Sequence, residues 1–293
     1  MHVFVTGATG WVGSAVVEDL IAAGHRVTGL ARSPEKAAAL RATGATDLIG
    51  TLDDIDILRA AAEQADAVCH LAFNHDFTKF ADNAAQDRRA IEALGEVLKG
   101  SERPLLVTSG VALLAPGRVA TEEDVPAEGP NYPRRSEATA RALADQGVRA
   151  ATIRLAPTVH GVGDHGFMQI LAGIAREAGV SAYPGDGSNR WPAVHVSDAA
   201  RTYRLALERG ATEPAYHAIA EEGVPFREIA AAIGRQLGLP VETRAADHFG
   251  WFAGFAAADM PASGTRTQAW LGWEPIGPLL IPDIDQPAYF PAD

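Results

Sequence analysis

The sequence predicts an α/β fold, a doubly wound parallel sheet with a smaller C-terminal domain. Three observations carry this. Short β-rich runs alternate with helical patterns through the first half of the chain. A glycine-rich turn joins the first strand to the first helix. After about Thr158 the alternation loosens into segments rich in Gly, Pro, Asp and Asn.

The elements follow in order. His2–Thr6 reads as a strand, and Trp11–Ala23 as a helix with Val12, Val16, Leu20 and Ala23 on one face. Gly24 ends that helix. Arg26–Leu30 is a second strand and Pro34–Thr43 a second helix. Further strands are predicted at Thr46–Ile49, Ala67–Leu71, Pro104–Thr108 and Ala150–Leu155, with helices near Asp54–Glu63, Phe77–Lys99 and Arg134–Gln146. Strands separated by helices imply a parallel sheet covered on both faces. Gly161–Gly166 and Tyr183–Pro192 read as loops. Ala193–Val196 and Ala215–Ala220 read as strands beside helices at Ser197–Arg209 and Phe226–Leu237. The expected division is a nucleotide-binding domain over residues 1–157 and a mainly substrate-binding domain over 158–293, with some of its segments returning to the first sheet. Ligands of such sheets bind at the carboxyl ends of the strands.

Composition narrows the function. The chain has 293 residues, 47% hydrophobic and 21% charged, an ordinary balance for a folded protein. A length of this order buries roughly three-quarters of the unfolded surface. A net charge of −12 argues against nucleic acid or an anionic membrane as partner, since both require a positive field. The single cysteine, Cys69, forms no internal disulfide, and a cytoplasmic location is expected. No signal peptide or membrane-spanning run is expected either. The expected partners are a small-molecule substrate and a second copy of the chain in a homodimer.

Thr6-Gly7-Ala8-Thr9-Gly10-Trp11-Val12-Gly13 follows the first strand and opens the first helix. Gly7 permits the tight turn, Gly10 lets a pyrophosphate approach the backbone, and Gly13 lets helix and strand pack closely. The helix N-terminus adds unpaired N–H groups and the positive end of its dipole. An NAD site usually has an acidic residue at the end of the second strand, holding the ribose 2′-hydroxyl. Here Leu30-Ala31-Arg32-Ser33 stands there instead. Arg32 can fork onto a 2′-phosphate and Ser33 can donate a hydroxyl, so NADP(H) is the expected cofactor.

With these residues the chain resembles the extended short-chain dehydrogenase/reductase superfamily, including the NAD-dependent epimerase/dehydratase-like proteins, which share a Rossmann fold. The resemblance spans nearly the whole chain. Beyond the glycine motif it rests on Val68-Cys69-His70-Leu71-Ala72, Val107-Thr108-Ser109-Gly110 and Leu155-Ala156-Pro157-Thr158-Val159-His160-Gly161. In the second half it rests on Gly185-Asp186-Gly187-Ser188-Asn189-Arg190-Trp191, Val194-His195-Val196-Ser197-Asp198 and Leu271-Gly272-Trp273. It implies that Leu71, Ala72, Thr108, Pro157 and Thr158 line the cofactor and that Asp53 lies near the adenine.

The catalytic pattern departs from the superfamily. Its members pair a Ser with a Tyr that protonates the carbonyl oxygen and with a Lys four residues after the Tyr. In Tyr132-Pro133-Arg134-Arg135-Ser136-Glu137 the lysine is missing, and no lysine follows Lys99. If Tyr132 matches the Tyr, Ser136 stands for the Lys. If Ser136-Glu137 matches the usual Ser-Lys pair, Pro133 stands for the Tyr. The usual paired serines fall at Ser109-Gly110, so either Ser109 or Gly110 stands at the catalytic position. Arg134 or Arg135 could supply positive charge but relays no proton.

The candidate proton donors are therefore Tyr132, Ser109 and a loop histidine, with His160 and His165 favoured over His70, His75 and His195. No metal-ligand spacing of the His-Glu-x-x-His or paired-cysteine type occurs, so no metal is expected. Trp191, Phe249, Trp251, Phe252 and Phe255 serve either as core or as walls of an apolar substrate pocket. The reading is an NADP(H)-dependent oxidoreductase transferring hydride to or from a small apolar or aromatic carbonyl or alcohol. An NADP-using epimerase or dehydratase, and a catalytically silent NADP-binding sensor, are the alternatives.

Overall fold

The computed structural model describes residues 1–127 and 134–291. In chain order the elements begin β1 (His2–Thr6), α1 (Trp11–Ala22), β2 (Arg26–Ala31), α2 (Pro34–Ala42), β3 (Thr46–Ile49) and α3 (Ile55–Glu63). There follow β4 (Ala67–His70), α4 (Phe80–Leu98), β5 (Leu105–Gly110), α5 (Ser136–Asp145) and β6 (Ala150–Leu155). The second half holds β7 (Thr158–His160), α6 (Phe167–Ala178), β8 (Ser181–Pro184), β9 (Arg190–His195), α7 (Val196–Glu208) and β10 (Ala215–Ala218). It ends with β11 (Glu221–Pro225), α8 (Phe226–Leu237), β12 (Val241–Arg244), α9 (Ala253–Ala256), α10 (Thr265–Leu271) and α11 (Leu280–Ile284). Two compact units divide the chain. One takes Met1–Ser109, Ala127–Arg154 and Ala199–Tyr216. The other takes Gly110–Pro126, Leu155–Asp198 and His217–Asp293.

The first unit is built on a seven-stranded sheet of order β10-β6-β5-β4-β1-β2-β3. The pairs β1·β2, β1·β4, β2·β3 and β4·β5 are parallel. The strand order reverses between β1 and β4, the place where doubly wound sheets bind ligands. Apolar strand residues explain the burial, since parallel strands are covered on both faces. Phe4, Val68, Leu105 and Val107 pack against Leu58, Ile91, Leu94, Leu98 and Leu143 of α3, α4 and α5. Helix α2 starts where a capping residue and a proline coincide: Ser33 Oγ accepts the Lys36 N–H, and Pro34 occupies the first turn. The buried Arg154 on β6 forks onto the buried Glu137 on α5, Nε to Oε2 at 2.9 Å and Nη2 to Oε1 at 2.5 Å. Both charges are out of water, so the bidentate geometry is what makes the pair tolerable.

The second unit carries a three-stranded sheet of order β11-β9-β7 and the parallel pair β12·β8. Helices α6 and α8 enclose an aromatic core. Trp191 stacks edge-on to Phe226 at 5.0 Å between ring centroids, and Phe252 lies 5.9 Å from Trp191. Trp191, Phe249 and Phe252 are buried there, so these three belong to the core. Phe255 packs partly buried against the same cluster, while Trp251 is 65% exposed. Two further expectations are corrected. Tyr183–Pro192 is a turn between the ends of β8 and β9, not one loop. Helix α6, absent from the sequence reading, is amphipathic and buries Met168, Leu171, Ala172 and Ala175. It starts without a side-chain cap at Gly166, which removed the usual start signal. No helix among the described residues is long and apolar enough to cross a membrane.

Two glycines separate packing from propensity. A Cβ on Gly13 in α1 would overlap the carbonyl oxygen of Gly7, whereas a Cβ on Gly173 inside α6 would meet nothing within 4 Å. Gly13→Ala should lower unfolding free energy by about 1–3 kcal/mol through overpacking. Gly173→Ala should raise it by about 0.5–1 kcal/mol, because alanine loses less backbone entropy in a helix. Urea unfolding of the two variants checks both signs.

Candidate active site

The glycine turn is shaped by contact with the neighbouring strand's end. Gly7 has φ +68°, and a Cβ there would lie 2.7 Å from the Ala72 nitrogen and 2.8 Å from the Leu71 carbonyl carbon. The Gly10 N–H closes the turn on the Gly7 carbonyl at 2.9 Å. Gly10 is exposed at the N-cap of α1, and the first turn of that helix holds no acidic residue to oppose an anion. Gly7, Thr9, Gly10, Trp11, Val12, Leu71 and Ala72 keep partial or full exposure around this turn, while Thr6 and Gly13 are buried beneath it. The side-chain-free backbone, the unopposed helix end and the close-packed Gly13 fit a dinucleotide pyrophosphate.

At the end of β2, Arg32 is exposed, and no ion pair or hydrogen bond engages it among the described residues. Ser33 is occupied as the α2 cap. Asp53 follows β3, where it accepts a hydrogen bond from Gln86 at 2.6 Å and pairs with Arg89 at 3.4 Å, both on α4.

Below the turn lies a polar chain at the carboxyl ends of β4 and β5. Thr6 Oγ1 accepts the Ala72 N–H at 3.2 Å and meets His70 Nδ1 at 2.9 Å. His70 Nε2 lies 3.0 Å from Asp87 Oδ1, and Ser136 Oγ donates to Asp87 Oδ2 at 2.5 Å. Arg134 Nε donates to Ser136 Oγ at 2.9 Å, and Arg134 Nη2 to the Thr108 carbonyl at 3.0 Å. The Arg134 guanidinium lies over the Phe73 ring, 4.2 Å from its centroid. Burial pulls the Arg134 pKa down, and the Asp87 carboxylate opposes that shift. Thr108 Oγ1 donates to the His70 carbonyl and meets the Tyr203 hydroxyl at 2.8 Å. Burial drives the Tyr203 phenol well above its usual range, so it holds its proton and serves the packing of Thr108.

Among the sequence candidates, Thr108 joins this chain, and Ser109 stands half-buried one residue on. Tyr132 lies outside the described residues. His70, expected to face a ligand, is buried within the chain instead. Sequence reasoning missed Asp87 and Arg134's anchorage. The available signal was a polar pair, Asn83 and Asp87, on the face of α4 that also buries Ala84, Ala90, Ile91 and Leu94.

Pro157, Thr158, His160 and His165 belong to the second unit. Thr158 Oγ1 donates to the Pro192 carbonyl, which ties β7 to β9. His160 and His195 are register partners on these parallel strands, with ring centroids 5.5 Å apart. His160 is fully buried, its Nδ1 2.7 Å from Asp283 Oδ2. Burial lowers the His195 pKa, and the neighbouring His160 adds to the shift. His165 is exposed. Beside it, Tyr289 OH donates to Asp164 Oδ2 at 2.9 Å, while burial raises the Asp164 pKa. Among the described residues, no group of three or more His, Cys, Asp or Glu side chains is placed to hold a metal.

Comparison with known proteins agrees with this architecture. The profile described as "NAD dependent epimerase/dehydratase family" matches residues 3–220. An uncharacterized protein of Schizosaccharomyces pombe is 49% identical over 99% of this chain and 100% of its own. The 4-hydroxy-2-methyl-3-oxo-4-farnesyl-3,4-dihydroquinoline-1-oxide ketoreductase of Stigmatella aurantiaca is 27% identical over 98% of this chain and 84% of its own. A Thermus thermophilus UDP-glucose 4-epimerase, solved in complex with NAD, shares the fold with TM-score 0.73 at 22% identity, covering 98% of each chain. A parallel sheet with a glycine cradle at its first turn, together with a family match over most of the chain, places this protein in the NAD-dependent epimerase/dehydratase family, within the extended short-chain dehydrogenase/reductase type.

Proposed function

We propose that this chain is an NADP(H)-dependent oxidoreductase that interconverts a small apolar or aromatic carbonyl compound and its alcohol. The observation that carries the cofactor choice is Arg32, an exposed and unengaged guanidinium where an NAD site would carry a carboxylate. Its planar fork matches a phosphate, and among the described residues no acid pairs with it. The substrate class is supported by the ketoreductase relative, whose substrate bears a farnesyl chain. The aromatic tail contributes less support, because Trp191, Phe249 and Phe252 serve the core of the second unit.

The nicotinamide supplies the hydride chemistry. This chain's residues bind, orient and move the proton. Gly7, Gly10 and the N-terminus of α1 would hold the pyrophosphate, Arg32 the 2′-phosphate, and Leu71 and Ala72 the wall beside them. Ser109 offers a hydroxyl to the substrate oxygen, and Tyr132 is the proposed proton donor by its position before Arg134 in the sequence. A second reading, a sensor that binds NADP without turnover, is favoured by one observation: no lysine follows Lys99.

Arg32→Ala should weaken NADPH binding at least tenfold, about 1.4 kcal/mol, and leave NADH binding nearly unchanged. Calorimetric titration of both cofactors checks this, and equal losses would refute the assignment. Tyr132→Phe should lower kcat at least about a hundredfold with NADPH affinity intact, the usual worth of a general acid. Steady-state reduction of a ketone panel reads this out. A variant that turns over like the parent places the donor elsewhere, and a parent that binds NADPH but reduces nothing favours the sensor.

A further inference from the structure

The superfamily's lysine, the cation that lowers the catalytic tyrosine's pKa and holds the ribose, is missing from this chain. The first unit holds another cation in a fixed pose. We propose that Arg134 is that group: its guanidinium binds the substrate's carbonyl oxygen and holds the negative charge that develops there, with Ser136 and Asp87 as its positioning residues. The inference rests on the oxidoreductase reading above.

Arg134 sits at the carboxyl ends of β4 and β5, where parallel sheets of this type bind ligands. Phe73 beneath it follows Ala72, the residue that walls the glycine turn. The pose is fixed on two sides. Nε is tied to Ser136 Oγ and Nη2 to the Thr108 carbonyl, and the aromatic face of Phe73 holds the guanidinium plane. The Nη1 amino group has no partner among the described residues. A clamped guanidinium with an unengaged edge is a preorganised donor, which loses little entropy on meeting an oxyanion.

Ser136 stands at the lysine's place counted from Tyr132, yet its hydroxyl links Arg134 to the buried Asp87. Counted this way, the position that carries the cation in other members here carries the tether of Arg134. A lysine at this position would remove the hydroxyl that joins the guanidinium to Asp87.

The step balances without a new reactant. The carbonyl carbon gains a hydride, the π pair of the C–O bond moves to oxygen, and that oxygen takes one proton. The substrate is reduced and the dihydronicotinamide oxidised. Arg134 gives up no proton at any stage, so the proton comes from a separate donor.

The test compares the parent protein with Arg134→Gln, Arg134→Lys, Arg134→Ala and Ser136→Lys in NADPH-dependent reduction of an aromatic ketone panel. Thermal unfolding and NADPH calorimetry serve as controls. Arg134→Gln should lower kcat about a hundredfold, the typical loss of one oxyanion donor, with NADPH affinity changed by less than about twofold. Guanidinium chloride at low concentration should restore part of the Arg134→Ala rate, which a structural role would not produce. Arg134→Lys keeps the charge without the fork and should fall between parent and Arg134→Gln. It carries the same comparison should Arg134→Gln not fold. Ser136→Lys should be slower than the parent. An unchanged kcat in Arg134→Gln, or a rate that rises in Ser136→Lys, overturns the inference and leaves the oxidoreductase reading standing. A parent that binds NADPH but reduces no ketone overturns both.

Discussion

The first unit is organised around one buried carboxylate. Asp87 is almost fully enclosed, and a carboxylate out of water must have its oxygens satisfied or be neutralised. Its two oxygens reach in different directions, one to His70 at the end of β4 and one to Ser136 at the first residue of α5. That requirement fixes a helix start against a strand end. It also sets the segment before α5, because Ser136 in turn receives the Arg134 guanidinium. The far side of His70 meets Thr6, the first residue of the glycine turn. The surface expected to cradle the dinucleotide and the surface expected to meet the substrate are therefore built on one hydrogen-bonded chain. In such networks the loss of one member leaves its neighbours' groups unsatisfied, so the effects of mutations along it are not additive.

The sheet of the first unit was legible because its signals are local. Apolar runs a few residues long, a glycine at the turn and a capping Ser33-Pro34 pair each act within one element. Boundaries there fall within a residue or two of the pattern. The second unit was less legible for a physical reason. Strand β12 has all four residues exposed, and it exists only by pairing with β8, whose partner lies far along the chain. Strand β11 is interrupted by a register shift between Glu221 and Val224. No alternation of apolar and polar residues marks such strands, since neither face is uniformly buried. The same cause misdirects the aromatic residues. Trp191 and Phe252 are distant in sequence, and only their packing around α6 and α8 shows that they are core.

The candidate site divides in the same way. Glycines that cannot bear a Cβ and an arginine at a strand end are one-residue statements, and the sequence carries them openly. Asp87, His70 and Ser136 carry meaning only as partners, and their separations along the chain run from 17 to 49 residues. A polar residue on the apolar face of α4 was the trace left in the sequence. Without its partners it could not be told from a solvated side chain.

The chain carries far more arginine than lysine, and two of these arginines occupy opposite environments. Arg32 is exposed and unengaged at the end of β2, whereas Arg134 is gripped on two edges and one face. A lysine could not reproduce the second arrangement. Its ammonium is a compact, strongly hydrated point charge with no plane to lay on Phe73 and no fork to divide between Thr108 and Ser136. Conversely, an arginine cannot do what a lysine does when it lowers a tyrosine's pKa and exchanges protons near neutral pH. Replacing one by the other moves the work from proton relay to fixed electrostatic stabilisation. The tether at Ser136 and the cation at Arg134 are consistent only as a pair, because a guanidinium free to swing would reorganise during the reaction and forfeit that advantage.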